Sequence, residues 1–120
     1  METQPASEWV KRYADFVPAG SLVLDLACGS GRHARLFSSL GYPVLAVDRD
    51  ISRVPEKLQV PDVELHTADL ESDEGWPLAG RTFGGIVVTN YLHRPLFPHL
   101  LDSLQKGGVL IYETFAVGNE

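Results

Sequence analysis

The residue pattern predicts an α/β domain: a mainly parallel sheet of about five strands with helices on both faces. Two observations lead there. Several short apolar runs lack polar alternation, as strands covered on both faces do. Helical patterns separate most of them, and such connections imply right-handed crossovers between parallel strands. The 120 residues form one domain, with 44% hydrophobic and 22% charged residues, the balance of an ordinary globular protein and not of a disordered chain.

Ser7 is a candidate N-cap. Behind it, Trp9, Val10, Tyr13, Phe16 and Val17 share a helical face, and Pro18-Ala19-Gly20 stops the helix. Leu22 to Leu26 reads as the first strand, followed by the small-residue turn Ala27-Cys28-Gly29-Ser30-Gly31. Arg32 to Leu40 is a helix with a stop at Gly41. Val44 to Val47 is a second buried-type strand ending at Asp48. A short helix over Ile51 to Leu58 is limited by Pro55 to its first turn or kinked there. Val63 to Thr67 alternates, which places it near a sheet edge with one wetter face. Residues 69–81, acidic and rich in glycine and proline, are mostly loop. Ile86 to Thr89 is the next strand, Pro95 to Gln105 a helix stopped by Gly107-Gly108, and Val109 to Tyr112 starts a last strand running toward Phe115.

Ten Lys and Arg against sixteen Asp and Glu give a net charge of -6, the wrong sign for a surface that tracks phosphates, so no nucleic-acid partner is expected. No apolar stretch approaches the ~20 residues of a membrane span, and Met1 to Pro5 lack the features of a secretory signal. The single cysteine, Cys28, has no intrachain partner; a reducing, cytoplasmic setting fits it best.

In a sheet of this kind the ligand lies beyond the carboxyl ends of the strands, where strand order reverses. The first strand and the Ile86 strand are the expected neighbours there. The glycine turn offers bare backbone and the amides of a helix start. Asp48, nineteen positions after Gly29, is placed to accept both hydroxyl protons of a ribose. Together they indicate an adenosine-type ligand. Gly29-x-Gly31-x-x-Ala34 also fits a permissive dinucleotide fingerprint. Asp25 argues the other way: a carboxylate beside the turn suits an ammonium and a sulfonium better than a pyrophosphate. Asp69 is placed to accept from an adenine amino group. Each residue has a plainer reading as well: an ordinary turn for the glycines, a helix cap for Asp48, a loop carboxylate for Asp69, packing for Cys28.

Leu24-Asp25-Leu26-Ala27-Cys28-Gly29-Ser30-Gly31 resembles motif I of the class I S-adenosylmethionine-dependent methyltransferases. Val47-Asp48 resembles the ribose-binding end of their second strand, and Ala68-Asp69-Leu70 their adenine-contacting segment. Phe83 to Asn90 resembles their fourth strand, and Leu104 to Tyr112 their run into the fifth. By general look, small bacterial members, including the tellurite-resistance type, are similar. The resemblance covers Leu22 to Phe115. It implies a Rossmann-like, doubly wound sheet of order 3-2-1-4-5. It implies S-adenosylmethionine as cofactor, held by Asp25, Ala27, Cys28, Gly29, Ser30, Gly31, Asp48, Arg49, Ala68, Asp69, Leu70 and Asn90. No metal is implied. His93 as base and Tyr91 as acceptor-positioning residue are the catalytic candidates, with Arg94 as a holder of an anionic substrate. His33 either approaches the cofactor carboxylate or serves the surface. Trp9 and Tyr13 are expected to face the core from a lid helix, and Glu71 to Glu74 to be a solvated loop.

The family's sheet usually has seven strands, whereas this sequence stops soon after the fifth, as a C-terminally truncated chain or a reduced version of the fold. The apolar edge this leaves over Val109 to Phe115 invites pairing with a second copy. The acceptor is expected to be a small molecule. Two alternatives stand beside methyl transfer: a module that binds S-adenosylmethionine without turnover, and a nicotinamide dinucleotide-binding oxidoreductase domain.

Overall fold

A computed structural model describes residues 6–56, 61–72, 75–91 and 93–114. Ser7 caps helix α1 (Glu8–Tyr13), its side chain accepting from the backbone N–H groups of Trp9 and Val10; a single 3₁₀ turn, Ala14–Phe16, follows. The remaining elements are β1 (Val23–Leu26), α2 (Arg32–Ser39), β2 (Val44–Asp48), β3 (Val63–Thr67), β4 (Phe83–Thr89), α3 (Phe97–Asp102) and β5 (Leu104–Glu113). The sheet has five strands in the order β3-β2-β1-β4-β5, all paired in parallel. This is the Rossmann-like order expected, with β1 and β4 adjacent at the centre.

Alternation along the central strands divides the core in two. Val23, Val44, Ala46, Val87 and Ile111 face α1 and α2, packing on Val10, Ala14 and Phe37. Leu24, Leu26, Leu45, Val47, Ile86 and Val88 face the other way, onto Leu78, Leu96 and Leu100. β3 sits at one edge with only Val63 fully buried, which accounts for its mixed pattern.

Three expectations change. The buried stripe of α1 runs through Val10, Ala14 and Val17, whereas Trp9 and Phe16 are 45% and 64% exposed. Spacings of four and three residues centre the stripe one position away from the aromatics. The helix expected over 95–105 is a 3₁₀ turn at Arg94–Leu96 and the short α3, and Leu104 to Gly108 belong to β5. Gly107 and Gly108 therefore do not stop a helix. Phe83 pairs with Leu104, the register then shifts, and Gly85 pairs with Val109. Gly107 takes φ +81 in that irregularity, and a Cβ on Gly108 would lie 2.9 Å from the Gln105 carbonyl oxygen. The short helix after β2 is one 3₁₀ turn, Ile51–Arg53, ending before Pro55; Leu58 lies outside the described residues.

Candidate functional site

A cavity of about 450 Å³ opens at the carboxyl ends of the strands. Its wall is made by the turn and helix start after β1 (Ala27, Cys28, Gly29, Ser30, Arg32, His33), by Asp48, Arg49 and Arg53 after β2, by 68–71 after β3, and by Thr89, Asn90 and Tyr91 at the end of β4. Eleven of the fourteen residues proposed from the sequence line it. Asp25, Gly31 and His93 do not.

The turn after β1 is held from below. Ala27, Gly29 and Gly31 have φ of +56, +59 and +84. Ala27 takes this conformation against the preference of an L side chain. The backbone N–H of Cys28 donates to the Val47 carbonyl at 2.9 Å, carrying the β1–β2 pairing into the turn. Gly29 N–H donates to Asp48 Oδ2 at 2.8 Å, and Asp50 N–H to Asp48 Oδ1 at 3.0 Å. Arg53 Nη2 lies 3.7 Å from the same Oδ2. Asp48 is thus fixed against the wall with its charge partly balanced.

Asp25 has a different place from the one its position suggests. Gly31 occupies the N-cap of α2 without a side chain to offer. Asp25 Oδ2 supplies the missing acceptor from the neighbouring strand, taking the N–H of Ala34 at 2.9 Å. The carboxyl is 2% exposed and lies under the turn, not on the cavity wall. Burial raises its pKa to about 7; the Ala34 hydrogen bond and Arg32 oppose that shift, and Asp48 adds to it.

Cys28 is buried, and burial with the charges of Asp25 and Asp48 pushes its thiol up to about 12. It packs in the turn and carries no thiolate at neutral pH. His33 is 2% exposed and accepts the backbone N–H of Ser7 on Nε2 at 3.1 Å. Its Nδ1 lies 3.4 Å from Thr89 Oγ1. Burial, assisted by Arg32, lowers its pKa to about 4.

On the opposite wall, Asp69 Oδ1 accepts the N–H of Glu71 at 2.9 Å, and Ala68 N–H donates to the Asp48 carbonyl at 3.1 Å. Glu71 reaches beyond solvent: Tyr91 Oη donates to its Oε2 at 2.8 Å, bridging the loops after β3 and β4. Tyr112 Oη in turn donates to the Tyr91 carbonyl at 2.6 Å. Burial and the Glu71 carboxylate keep the Tyr91 phenol well above its usual pKa. Asn90 has φ +55, and its N–H donates to the Glu113 carbonyl at 2.8 Å. Leu92 and Glu74 lie outside the described residues. Sequence reasoning passed over Arg32, Arg53, Glu71 and Thr89 as wall residues. Arg53 and Glu71 sit in stretches with no periodic pattern, whereas Thr89 could have been found from its place at the end of a central strand.

Fold and site together define a class I S-adenosylmethionine-dependent methyltransferase framework. The family model of the tellurite resistance protein TehB matches residues 3–107, and the chain belongs to that family. Protein-L-isoaspartate O-methyltransferase from Rhodopseudomonas palustris (strain BisB5) is 34% identical over 97 residues, 78% of this chain and 44% of its own length. The TehB-like SAM-dependent methyltransferase from Corynebacterium glutamicum ATCC 13032 Kitasato superposes with a TM-score of 0.73 at 23% identity, covering 92% of this chain and 62% of its own. The glycopeptide N-methyltransferase MtfA, solved complexed with (S)-adenosyl-L-methionine, gives 0.65 at 25% identity, covering 87% of this chain and 52% of its own. The chain spans roughly half the length of these relatives.

Proposed function

We propose that the chain binds S-adenosylmethionine and carries the cofactor half of a methyl transfer to a small-molecule acceptor. The observation that carries this reading is the pair of carboxylates on the cavity wall, Asp48 after β2 and Asp69 after β3, beside a turn whose helix start is capped from beneath by Asp25. A pyrophosphate over Gly29–Gly31 would find the Gly29 N–H already taken by Asp48 and would face that carboxylate on the wall. A cationic nucleoside meets no such obstacle. That disfavours the nicotinamide dinucleotide alternative. The methyltransferase activities of the relatives support the same reading.

In this reading Asp48 accepts from the ribose hydroxyls with the lone pairs that Gly29 and Asp50 leave over. Asp69, Ala68 and Leu70 hold the adenine end, with Arg49 alongside. Cys28 and Ser30 line the backbone turn, and Gly31 shapes it. Bound S-adenosylmethionine supplies a methyl group on a sulfonium, a good leaving group. The chain has to align an acceptor and exclude water. Asn90 and Tyr91 flank the transfer end, with Tyr91 placing the acceptor. His93, two residues beyond Tyr91 and not itself a wall residue, is the candidate base. The outer edge of β5, without a strand partner among the described residues, pairs with a second copy, and light scattering at micromolar concentration should give a mass above that of one chain.

Calorimetry with S-adenosylhomocysteine and with NAD tests the cofactor. Binding of the first alone is expected; binding of NAD alone would overturn the reading. Methyl-transfer assays over a panel of small acceptors separate an enzyme from a module that binds without turnover.

A further inference from the structure

Ser7, His33 and Thr89 meet at the α2 side of the cavity, and their hydrogens can be assigned. A backbone N–H only donates. The Ser7 amide, 3.1 Å from His33 Nε2, therefore requires a lone pair on that nitrogen. The ring is neutral at pH 7, its pKa lowered to about 4 by burial. Its one hydrogen is then on Nδ1, which faces Thr89 Oγ1 at 3.4 Å. The Ser7 arm cannot easily shift to reverse this, because its hydroxyl donates to Glu113 and caps α1. Thr89 Oγ1 thus accepts from His33, and its own hydrogen is left for another partner. Thr89 and His33 both line the cavity.

Strand order says which part of the ligand lies there. Asp48 and 68–71 come from β2 and β3, on one side of β1, while Thr89 comes from β4 on the other. With the adenine by β3 and the ribose by β2, as proposed above, the 5′ substituent continues along the strand order, past β1, toward β4. For S-adenosylmethionine that substituent ends in an ammonium and a carboxylate. A hydroxyl that must donate has nothing to offer an ammonium. A carboxylate takes its hydrogen.

We propose that Thr89 donates its hydroxyl hydrogen to the amino-acid carboxylate of the bound cofactor, and that His33 is the positioning residue that keeps that hydrogen available. This rests on the S-adenosylmethionine reading above. The test uses two ligands that share the thioether nucleoside: S-adenosylhomocysteine, and 5′-methylthioadenosine, which has no carboxylate. Calorimetry on Thr89→Val should show S-adenosylhomocysteine weakened about tenfold, the loss of one charge-assisted hydrogen bond. Methylthioadenosine should bind as in wild type, and Thr89→Ser should restore the first ligand. His33→Leu should show the same selective loss, with Thr89→Ala as a second removal if the valine variant does not fold. Equal weakening of both ligands, or of neither, overturns the proposal. A wild-type protein that binds neither ligand overturns the underlying cofactor reading instead.

Discussion

The two turns that face each other across the cavity are built by different means. After β1, buried carboxylates from β2 and from β1 itself hold backbone amides: Asp48 takes Gly29 N–H and Asp25 takes Ala34 N–H. After β4, Asn90 N–H donates to the Glu113 carbonyl of β5, and beyond it the chain is held by the part-buried Tyr112–Tyr91 and the exposed Tyr91–Glu71 hydrogen bonds. The first turn is bound into the core, so its shape is part of folding itself. Beyond Asn90 the second is held by two tyrosine hydroxyls, Tyr112 from β5 and Tyr91 reaching Glu71 after β3, so its shape can change while the sheet stays intact. A site with one fixed wall and one adjustable wall suits a constant cofactor and a variable acceptor.

The largest effect is expected from removing Asp48, which is 8% exposed. Asp48→Ala leaves the amides of Gly29 and Asp50 without their acceptor, which costs about 2–3 kcal/mol of stability. In the proposed function it also removes the ribose partner, so affinity for S-adenosylhomocysteine should fall by roughly two orders of magnitude, as two charge-assisted hydrogen bonds imply. Urea unfolding and calorimetry read the two losses separately. Unchanged stability would show that the fixed wall does not depend on this carboxylate.

Next in size are two opposed pH dependences within the same wall. Asp25 titrates at about 7 in the fold and near its ordinary carboxylate value when unfolded. The folded state binds its proton more tightly, so this contribution is fully present at low pH and is lost as pH rises from about 4 to about 7. His33 titrates at about 4 in the fold, below its unfolded value. The unfolded state holds that proton more tightly, so stability from this source rises from about pH 4 to 6.5. Each slope approaches 1.4 kcal/mol per pH unit, and in the wild type they largely cancel. Asp25→Asn keeps an oxygen for the Ala34 N–H and removes the buried charge. Its stability should therefore rise with pH over that window, and at pH 8 exceed that of the wild type, whose buried Asp25 is then charged. His33→Asn should show the opposite slope. Urea midpoints across pH 4–8 check both; parallel profiles for the two variants would contradict the assignment.

The order of strands, the glycine turn and the places of Asp48 and Asp69 were legible because they rest on local pattern and on the rules of parallel crossovers. What Asp25 does was not legible. Its partner, Ala34, is nine residues away across a strand-to-helix turn, and only the fold brings the two together. One signal did exist: α2 starts at Gly31, which has no side chain to cap it, so some other acceptor had to be found. Ser7 and His33, 26 residues apart, and Tyr91 and Glu71, 20 apart, are joined only by tertiary structure. The irregular start of β5 was hidden for a different reason. A glycine pair after a leucine-rich segment has the pattern of a helix stop, and only pairing with Phe83 shows that the strand has already begun.

The smallest effect is expected at the adjustable wall. Tyr91→Phe removes the donor to Glu71 and leaves the ring in place, while Glu71→Gln keeps an acceptor oxygen at the same reach. Glu71 is exposed, so water replaces the lost partner and stability should not move measurably. The bond does join the loops after β3 and β4 across the cavity, so its loss should appear in ligand exchange. Dissociation of S-adenosylhomocysteine, followed by stopped-flow competition, should be about fivefold faster in Tyr91→Phe, the loss of one ordinary hydrogen bond. Glu71→Gln should lie near wild type, and Tyr91→Phe combined with Glu71→Ala should be no faster than either alone, because both remove the same contact. Additive acceleration in the double variant would mean that the two side chains act separately, and that the wall after β4 is not held by this bridge.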